Sequence, residues 1–143
     1  MADLSTVCYE QIEHTGDIGI KVYGESLQEL FSNAALGMFD LMVDCQGVGR
    51  NVVEEVEVAG DNLEELLVNW LQELNYLFVT EQTVFVRVDI TRIDEEELTA
   101  TVYGDKINPR KNEIKKEIKA VTYHEIDVRK VNNKWRAQVI FDI

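Results

Sequence analysis

Cysteine is scarce in this chain of 143 residues, which contains only Cys8 and Cys45. The two are far apart and lack Cys-x-x-Cys spacing, so neither a disulfide framework nor a zinc ribbon is indicated. Apolar runs of the roughly 20 residues that cross a bilayer are also missing. No basic segment followed by a long apolar stretch begins the chain, as it would in a secretory signal. We therefore expect a soluble, cytoplasmic protein without a membrane partner.

Basic residues are few as well, with 14 Lys and Arg against 27 Asp and Glu and a net charge of −13 at pH 7. Phosphate contacts require a basic surface, so the composition argues against nucleic-acid binding by this chain alone. If RNA is involved, a partner is expected to hold it. Alternatively, the excess carboxylates only keep the protein soluble, which requires no partner.

Motifs of nucleophilic catalysis are absent too. No Ser-His-Asp, Cys-His or Glu-His arrangement stands out. The Gly47-Val48-Gly49 stretch lacks the helix start and lysine of a phosphate-binding loop. The sequence therefore does not favour an enzyme.

An internal repeat is present in what we expect to be a single domain, residues 1–143. The sequence VYGESLQEL at 22–30 aligns with VAGDNLEEL at 58–66. Each copy has the pattern of a strand, a glycine turn and a helix, which suggests copies at about 17–50 and 51–80. A chain of this length buries about 70% of its extended surface and can fold without disulfide bonds or structural metal ions.

Both helix starts have capping-box spacing, Ser26 with Glu29 and Asn62 with Glu65. Apolar residues at helical spacing predict one core face for each helix. These residues are Leu27, Leu30, Phe31, Ala34, Met38 and Leu41 in the first, and Leu63, Leu66, Leu67, Trp70, Leu71, Leu74 and Leu77 in the second. Period-two alternation elsewhere predicts strands around residues 18–22, 56–58, 84–88 and 98–102. The order of elements indicates an α+β domain with two helices packed on twisted sheet.

The last third of the chain predicts a hairpin. Asn132-Asn133 suits a tight two-residue turn, because asparagine tolerates a left-handed backbone. If Val131 faces Lys134, paired residue numbers sum to 265. The predicted pairs then include Tyr123 with Asp142, His124 with Phe141, and Thr122 with Ile143. Tyr123 and Asp142 would project from the same sheet face.

The segment 108–116 contains the single proline of the chain, Pro109, and a local basic cluster. We expect a short helix or turn there. Its charges are either a solvated face or the place where RNA or a nucleotide makes contact.

Two aspartates adjoin strand-like runs, Asp17 after a turn and Asp142 near the last residue. A fold that brings the first strands beside the last would place their carboxylates together, which is unfavourable without a cation or proton between them. Oxygen ligands and only two histidines favour Ca²⁺ or Mg²⁺ over Zn²⁺. A main-chain carbonyl or the carboxylate of Ile143 could add another oxygen. Alternatively, Asp17 caps a turn and Asp142 is a solvated strand end.

Four further residues are candidates for supporting or partner-facing roles. His14 could be a ligand or hydrogen-bond the loop, and we favour its orienting Asp17. Lys119 and Tyr123 are expected to share the sheet face of Asp142, where the lysine could hold a phosphate or a partner's carboxylate, or pair with a neighbouring glutamate. His124 alternates with apolar residues, and we expect a half-buried side chain.

Four motifs occur in order along the chain, HTGD at 14–17, GESL at 24–27, KAVTYH at 119–124 and FDI at 141–143. Together they resemble the archease family, whose members assist the RtcB-type RNA ligase in tRNA splicing, and the match runs from Tyr9 to Ile143. The resemblance implies duplicated strand-helix-strand-strand modules with mostly antiparallel sheet. It also implies a metal site made by Asp17, Asp142 and Ile143.

By the same resemblance, the protein would not itself seal RNA. It would promote guanylylation and multiple turnover of the ligase through a metal-binding acidic tip, and would meet tRNA only through the ligase. Two alternatives stay open: a metal-dependent phosphohydrolase centred on the same aspartates, and a general interaction or chaperone module for nucleic-acid enzymes.

Two positions depart from the family pattern. Gly16 stands where alanine is usual. In the proline loop, family members often have an aspartate and a histidine, and here Asn108, Arg110 and Lys111 stand instead. A family role for this loop is therefore not expected in this chain.

Overall fold

A computed structural model describes residues 2–4, 9–14 and 16–143, without the side chains of Ala2 and His14. Cys8 and Thr15 lie outside the described residues. The described elements are β1 (Ala2–Asp3), β2 (Tyr9–His14), β3 (Asp17–Gly24), α1 (Leu27–Met42), β4 (Val52–Ala59), α2 (Leu63–Glu81), β5 (Thr83–Ile93), β6 (Glu97–Lys106), β7 (Ala120–Val121), β8 (Asp127–Val131) and β9 (Lys134–Asp142).

The strands form two sheets. One has the order β1-β5-β6-β4, and the other has the order β2-β3-β9-β7 with β8 also paired to β9. Every strand pairing among the described residues is antiparallel. The predicted α+β class with two helices on antiparallel sheet is confirmed, although the strands divide between two sheets rather than forming one.

The helices differ in their surroundings. Both helices contact strands of both sheets, but 12 of the 16 residues of α1 are buried, so α1 is enclosed rather than buried on one face as predicted. Helix α2 buries 8 of its 19 residues and leaves Tyr76 and Val79 exposed. Trp70 Nε1 joins the helices by donating to the carbonyl of Phe31 at 2.9 Å. Neither helix of the described part has the length and apolarity that a membrane crossing requires.

Both predicted helix caps are confirmed. Ser26 Oγ accepts from the backbone N–H of Glu29 at 3.1 Å, and Asn62 Oδ1 accepts from that of Glu65 at 2.8 Å. Each bond satisfies an amide of the first helical turn that has no partner within the helix.

A second contact also recurs 36 positions apart. Asn33 Nδ2 donates to the carbonyl of Tyr23 at 2.8 Å, and Asn69 Nδ2 donates to that of Ala59 at 2.7 Å. Each asparagine ties its helix back to the preceding strand, so the two strand-helix junctions share one local structure. The boundaries proposed for the copies stay a prediction.

The late hairpin is confirmed only near its turn. Asn132 and Asn133 have φ of 52° and 66°, and residues pair as predicted from Val131↔Lys134 to Asp127↔Gln138. Residues 123–126 then form a turn, closed by a 3.2 Å bond from the N–H of Ile126 to the carbonyl of Tyr123. Beyond it Ala120 pairs with Asp142.

The turn shifts the strand register by three residues. Paired residue numbers sum to 265 between β8 and β9 and to 262 between β7 and β9. The predicted pairs of Tyr123 with Asp142, His124 with Phe141 and Thr122 with Ile143 are therefore wrong. The prediction assumed an unbroken ladder, but Glu125 adopts a φ of 52°, and the turn residues leave the sheet.

The segment after β6 forms the predicted turn. Backbone N–H groups of Lys111 and Asn112 donate to the carbonyl of Asn108. The buried side chain of Asn112 donates to the carbonyls of Asp44 and Gln46, both at 3.0 Å. The turn is thereby attached to the end of α1, with its basic residues on the outside.

Candidate functional site

Asp17 and Asp142 are direct cross-strand neighbours. Strand β3 pairs with β9 so that the two aspartates lie opposite each other. His14 lies opposite Asp17 on β2, and Ala120 lies opposite Asp142 on β7. Side chains of directly opposed residues share a face, with Cβ atoms about 4.5–5.5 Å apart. The structure meets the condition stated for this pair, since β3 lies beside β9, and metal binding stays a prediction.

Alternation along β3 determines which face holds this pair. Ile18, Ile20 and Val22 are buried in the core, on the side of α1. Asp17 is half-buried and Asp142 is exposed, and both belong to the opposite side, here called the outer face. The carboxylates are therefore anchored by core residues immediately beside them.

The main chain around Asp142 is held from two sides. Its carbonyl accepts the backbone N–H of Lys119 at 2.8 Å, and the next residue, Ile143, packs against the core. Lys119 thus adjoins the acidic pair through its backbone, although its own side chain is exposed. These contacts keep the end of β9 in place beside β3.

The donor set of this pair has the chemistry of a hard-cation site. Carboxylate and main-chain oxygens are the ligands that Ca²⁺ and Mg²⁺ prefer. Within the described residues, no group of three or more His, Cys, Asp or Glu side chains is placed to hold a metal. A cation held by Asp17 and Asp142 would therefore draw further ligands from main-chain oxygen, such as that of Ile143, or from water.

The structure separates two predicted residues from the pair. Tyr123, which is 56% exposed, lies in the turn rather than opposite Asp142, so it does not share that face by register. His124 lies in the same turn with an exposed side chain, and its backbone N–H donates to Thr122 Oγ1 at 3.2 Å. The expectation of a half-buried strand histidine is wrong, because the alternation rule does not apply in a turn.

Sequence reasoning missed a second basic cluster, in the hairpin of β8 and β9. Arg129, Lys130, Lys134 and Arg136 lie within eight residues there. A count of charges along the last third would have found it. The cluster lies on the same sheet as the acidic pair, whereas the basic residues of 108–116 lie beyond β6.

A half-buried polar pair near α1 has a structural explanation. The hydroxyl of Tyr9 donates to Asp40 Oδ2 at 2.5 Å. Burial, followed by this hydrogen bond, raises the pKa of Tyr9 above its ordinary value. Burial, followed by the charge of Asp40, raises the pKa of Cys45 to about 12. The thiol therefore stays protonated at neutral pH and is a poor nucleophile.

Comparison with known proteins shows which family this chain resembles. A model of the archease protein family (MTH1598/TM1083) matches residues 9–143. The protein archease of Methanosarcina mazei is 42% identical over 139 residues, covering 94% of this chain and 95% of its own. The protein archease of Pyrococcus abyssi is also 42% identical, over 140 residues, covering 94% and 98%.

Two solved structures share the fold. The solution structure of protein 1598 of Methanobacterium thermoautotrophicum has a TM-score of 0.78 and 34% identity, covering 94% of this chain and 98% of that one. A crystal structure from Thermotoga maritima, described as "an archease, possible chaperone", has a TM-score of 0.64 and 24% identity, covering 94% and 96%. With a family match over nearly its whole length and relatives at 42% identity, this chain belongs to the archease family.

Proposed function

We propose that this protein is an accessory activator of an RtcB-type RNA ligase in tRNA splicing and RNA repair, and that it does not seal RNA itself. Membership of the archease family supports the proposal. The observation that carries it is the register of β3 on β9, which sets Asp17 directly opposite Asp142. Two like charges held side by side on adjacent strands are costly unless a cation offsets them.

The acidic pair would hold Ca²⁺ or Mg²⁺ together with main-chain oxygen of Ile143. A bound divalent cation would supply positive charge next to phosphate oxygens, which dominates the charge balance at a phosphoryl-transfer centre. The protein's own part is to place the two carboxylates on paired strands, with the backbone of Lys119 bonded to Asp142. His14, opposite Asp17 on β2, is proposed to orient that carboxylate.

The acidic composition suits the proposed partner. A net charge of −13 favours docking on a basic, RNA-binding enzyme and speeds the encounter. The acidic pair of Asp17 and Asp142 would then reach the ligase's nucleotide site, where it would promote guanylylation and repeated turnover. The tRNA is held by the ligase.

The decisive experiment measures multiple-turnover RNA ligation with limiting RtcB-type ligase. Asp17→Asn and Asp142→Asn remove charge and keep side-chain size, and we expect each to lower the stimulation by about tenfold or more, as loss of metal-site groups does. Asp89→Asn is the matched control, because Asp89 is a half-buried strand aspartate on the other sheet, opposite Thr101. Full stimulation by both site variants would refute the proposal.

Calcium titration by calorimetry tests the metal separately from the ligase. Binding by wild type and by Asp89→Asn, weakened in Asp17→Asn and Asp142→Asn, is the expected result. Calcium binding that is unchanged in the site variants would place the cation elsewhere and contradict the proposed tip.

A general chaperone is the second candidate, favoured by the description of the Thermotoga maritima protein as a possible chaperone. In that case, the wild type and both site variants would raise the yield of active ligase equally. A rise in turnover per active ligase, lost in the site variants, would exclude this candidate.

A further inference from the structure

A pocket of about 420 Å³ lies on the outer face of the five-stranded sheet. Strands β3, β8 and β9 form its floor, and the turn at 123–126 forms one wall. The charged and aromatic residues that line it are Lys21, Tyr23, Glu125, Asp127, Arg129 and Arg136. The volume falls within the range of small-molecule sites, about 300–1,000 Å³.

Three cations converge in this pocket. Arg129 on β8 lies directly opposite Arg136 on β9, an arrangement of like charges that is destabilising without a compensating anion. Arg129 is compensated, because its Nε donates to both carboxylate oxygens of Asp127 at 2.8 and 3.0 Å. Among the described residues, no hydrogen bond or ion pair joins the side chain of Lys21 or Arg136 to a partner. A cation pair available for an anion is notable in a chain with a net charge of −13.

An aromatic ring lies beside these cations. Tyr23 is directly opposite Arg136, and its side chain is 40% exposed. The backbone beneath it is held, since the Tyr23 carbonyl accepts from Asn33 at 2.8 Å. Proteins that bind single-stranded nucleic acid combine aromatic rings that stack on the bases with cations that contact the phosphates.

The acidic lining residues suit a ribose. Gln138 Nε2 donates to the carbonyl of Glu125 at 3.2 Å and fixes the wall of the pocket. The carboxylates of Glu125 and Asp127 can accept hydrogen bonds, and ribose hydroxyls can donate them. A 2′-hydroxyl is the group that lets a protein distinguish ribonucleotides from deoxyribonucleotides.

We propose that this pocket binds a ribonucleotide phosphate, with the phosphate on Lys21 and Arg136, the base on the ring of Tyr23 and the ribose towards the acidic wall. The ligand is either a free nucleotide or the terminal nucleotide of an RNA. Lys21 lies four positions along β3 from Asp17, about 13 Å at strand spacing. The buried Ile140 lies between the cross-strand pair of Asp17 with Asp142 and that of Lys21 with Gln138. The pocket is therefore separate from the acidic pair, and the inference goes beyond the proposed activator function.

The test is calorimetric titration of the intact protein with AMP, dAMP, inorganic phosphate and a short RNA ending in a 3′-phosphate. We expect Arg136→Gln to weaken AMP binding by about tenfold, the scale of one charge-assisted hydrogen bond. Tyr23→Leu should weaken AMP and leave phosphate unchanged. Lys134→Gln is the control, because it removes the same charge from the same hairpin outside the pocket, where Lys134 pairs with Glu25 at 3.4 Å. The control should change affinity by less than about twofold, since exposed pairs contribute little.

Several results would overturn the inference. They are no AMP binding at millimolar concentration, equal loss in Arg136→Gln and Lys134→Gln, and phosphate binding as tightly as AMP. Preference for AMP over dAMP supports the ribose contact. Tighter binding of the RNA than of AMP, with competition between them, identifies an RNA end as the ligand, and equal affinity identifies the free nucleotide. The ligase is absent from this assay, so its outcome is independent of the activator test.

Discussion

The two strand-helix junctions, β3 with α1 and β4 with α2, have the same local bonds in different surroundings. Both have a capped first turn and an asparagine that ties the helix to the strand. Both helices contact both sheets, yet α1 is enclosed, with 12 of its 16 residues buried, while α2 buries 8 of its 19 and keeps an exposed face. A repeated sequence thus specifies a repeated local structure, and its position in the assembled sheets decides how deeply that structure is buried.

The two copies also differ in that only the first contributes an aspartate to the acidic pair. The position 36 residues after Asp17 is Val53, which is 54% exposed and lies opposite Tyr103 on β6. Asp17 instead lies opposite Asp142 on β9. The acidic pair therefore belongs to one copy alone, because only that copy pairs with the last strand.

The largest expected losses of stability involve the turn glycines of the two copies. A Cβ at Gly24 would lie 2.5 Å from the amide nitrogen of Leu30, and one at Gly60 would lie 2.7 Å from that of Leu66. Both contacts are with backbone, so the helix must shift. We expect Gly24→Ala to lower the free energy of unfolding by about 3 kcal/mol and Gly60→Ala by about 2 kcal/mol, since more of α1 than of α2 is buried and must repack when the helix shifts. Urea unfolding measures both, and equal losses would break the comparison.

The hydrogen bonds of the two asparagines should show smaller losses. Asn33 is 4% exposed, so Asn33→Ala leaves the Tyr23 carbonyl without its partner, at a cost of about 2 kcal/mol. The bond of Asn69 to Ala59 is exposed, so water replaces it in Asn69→Ala, and we expect a loss of about 0.5 kcal/mol. Thermal unfolding of the two variants side by side gives the ratio. A larger loss for Asn69→Ala would mean that burial does not decide the cost.

A third prediction concerns the contact of Tyr9 with α1. The ring of Tyr9 packs over Gly37, whose added Cβ would lie 3.1 Å from it, and its hydroxyl donates to Asp40. The residue 36 positions after Asp40 is the exposed Tyr76. We expect Tyr9→Phe to cost about 1 kcal/mol at neutral pH, because the carboxylate of Asp40 loses a donor.

This contact also has a pH signature. The folded protein raises the pKa of Tyr9 above its ordinary value, so it binds this proton more tightly than the unfolded chain does. The stabilisation is complete below about pH 10 and is lost as the pH rises further. Unfolding curves between neutral pH and pH 11 should show a smaller alkaline loss in Tyr9→Phe than in wild type. Parallel losses would assign the alkaline transition to other groups, Cys45 among them.

The prediction of the acidic pair depended partly on the family resemblance and partly on local patterns. Strand alternation placed Ile18, Ile20 and Val22 on one face, and this is what the structure has. Nothing local in the sequence brings β3 beside β9, since residues 17 and 142 are far apart in the chain. Counting from the hairpin turn predicted the register of the last strands correctly as far as Asp127 and wrongly beyond it. The turn at 123–126 removes residues from the sheet, and it contains no proline or glycine that would have indicated a turn in the sequence.

The sequence by itself determined the helix starts, the strands around residues 18–22, 56–58, 84–88 and 98–102, the two-residue turn at Asn132-Asn133 and the excess of negative charge, because each depends on neighbouring residues or on composition. Tertiary structure alone decided the division into two sheets, the enclosure of α1, the pairing of Asp17 with Asp142 and the pocket beside Arg136. These features depend on which distant strands meet and in which register. That outcome is set by the burial of all the apolar faces together, and no local window of the sequence contains it.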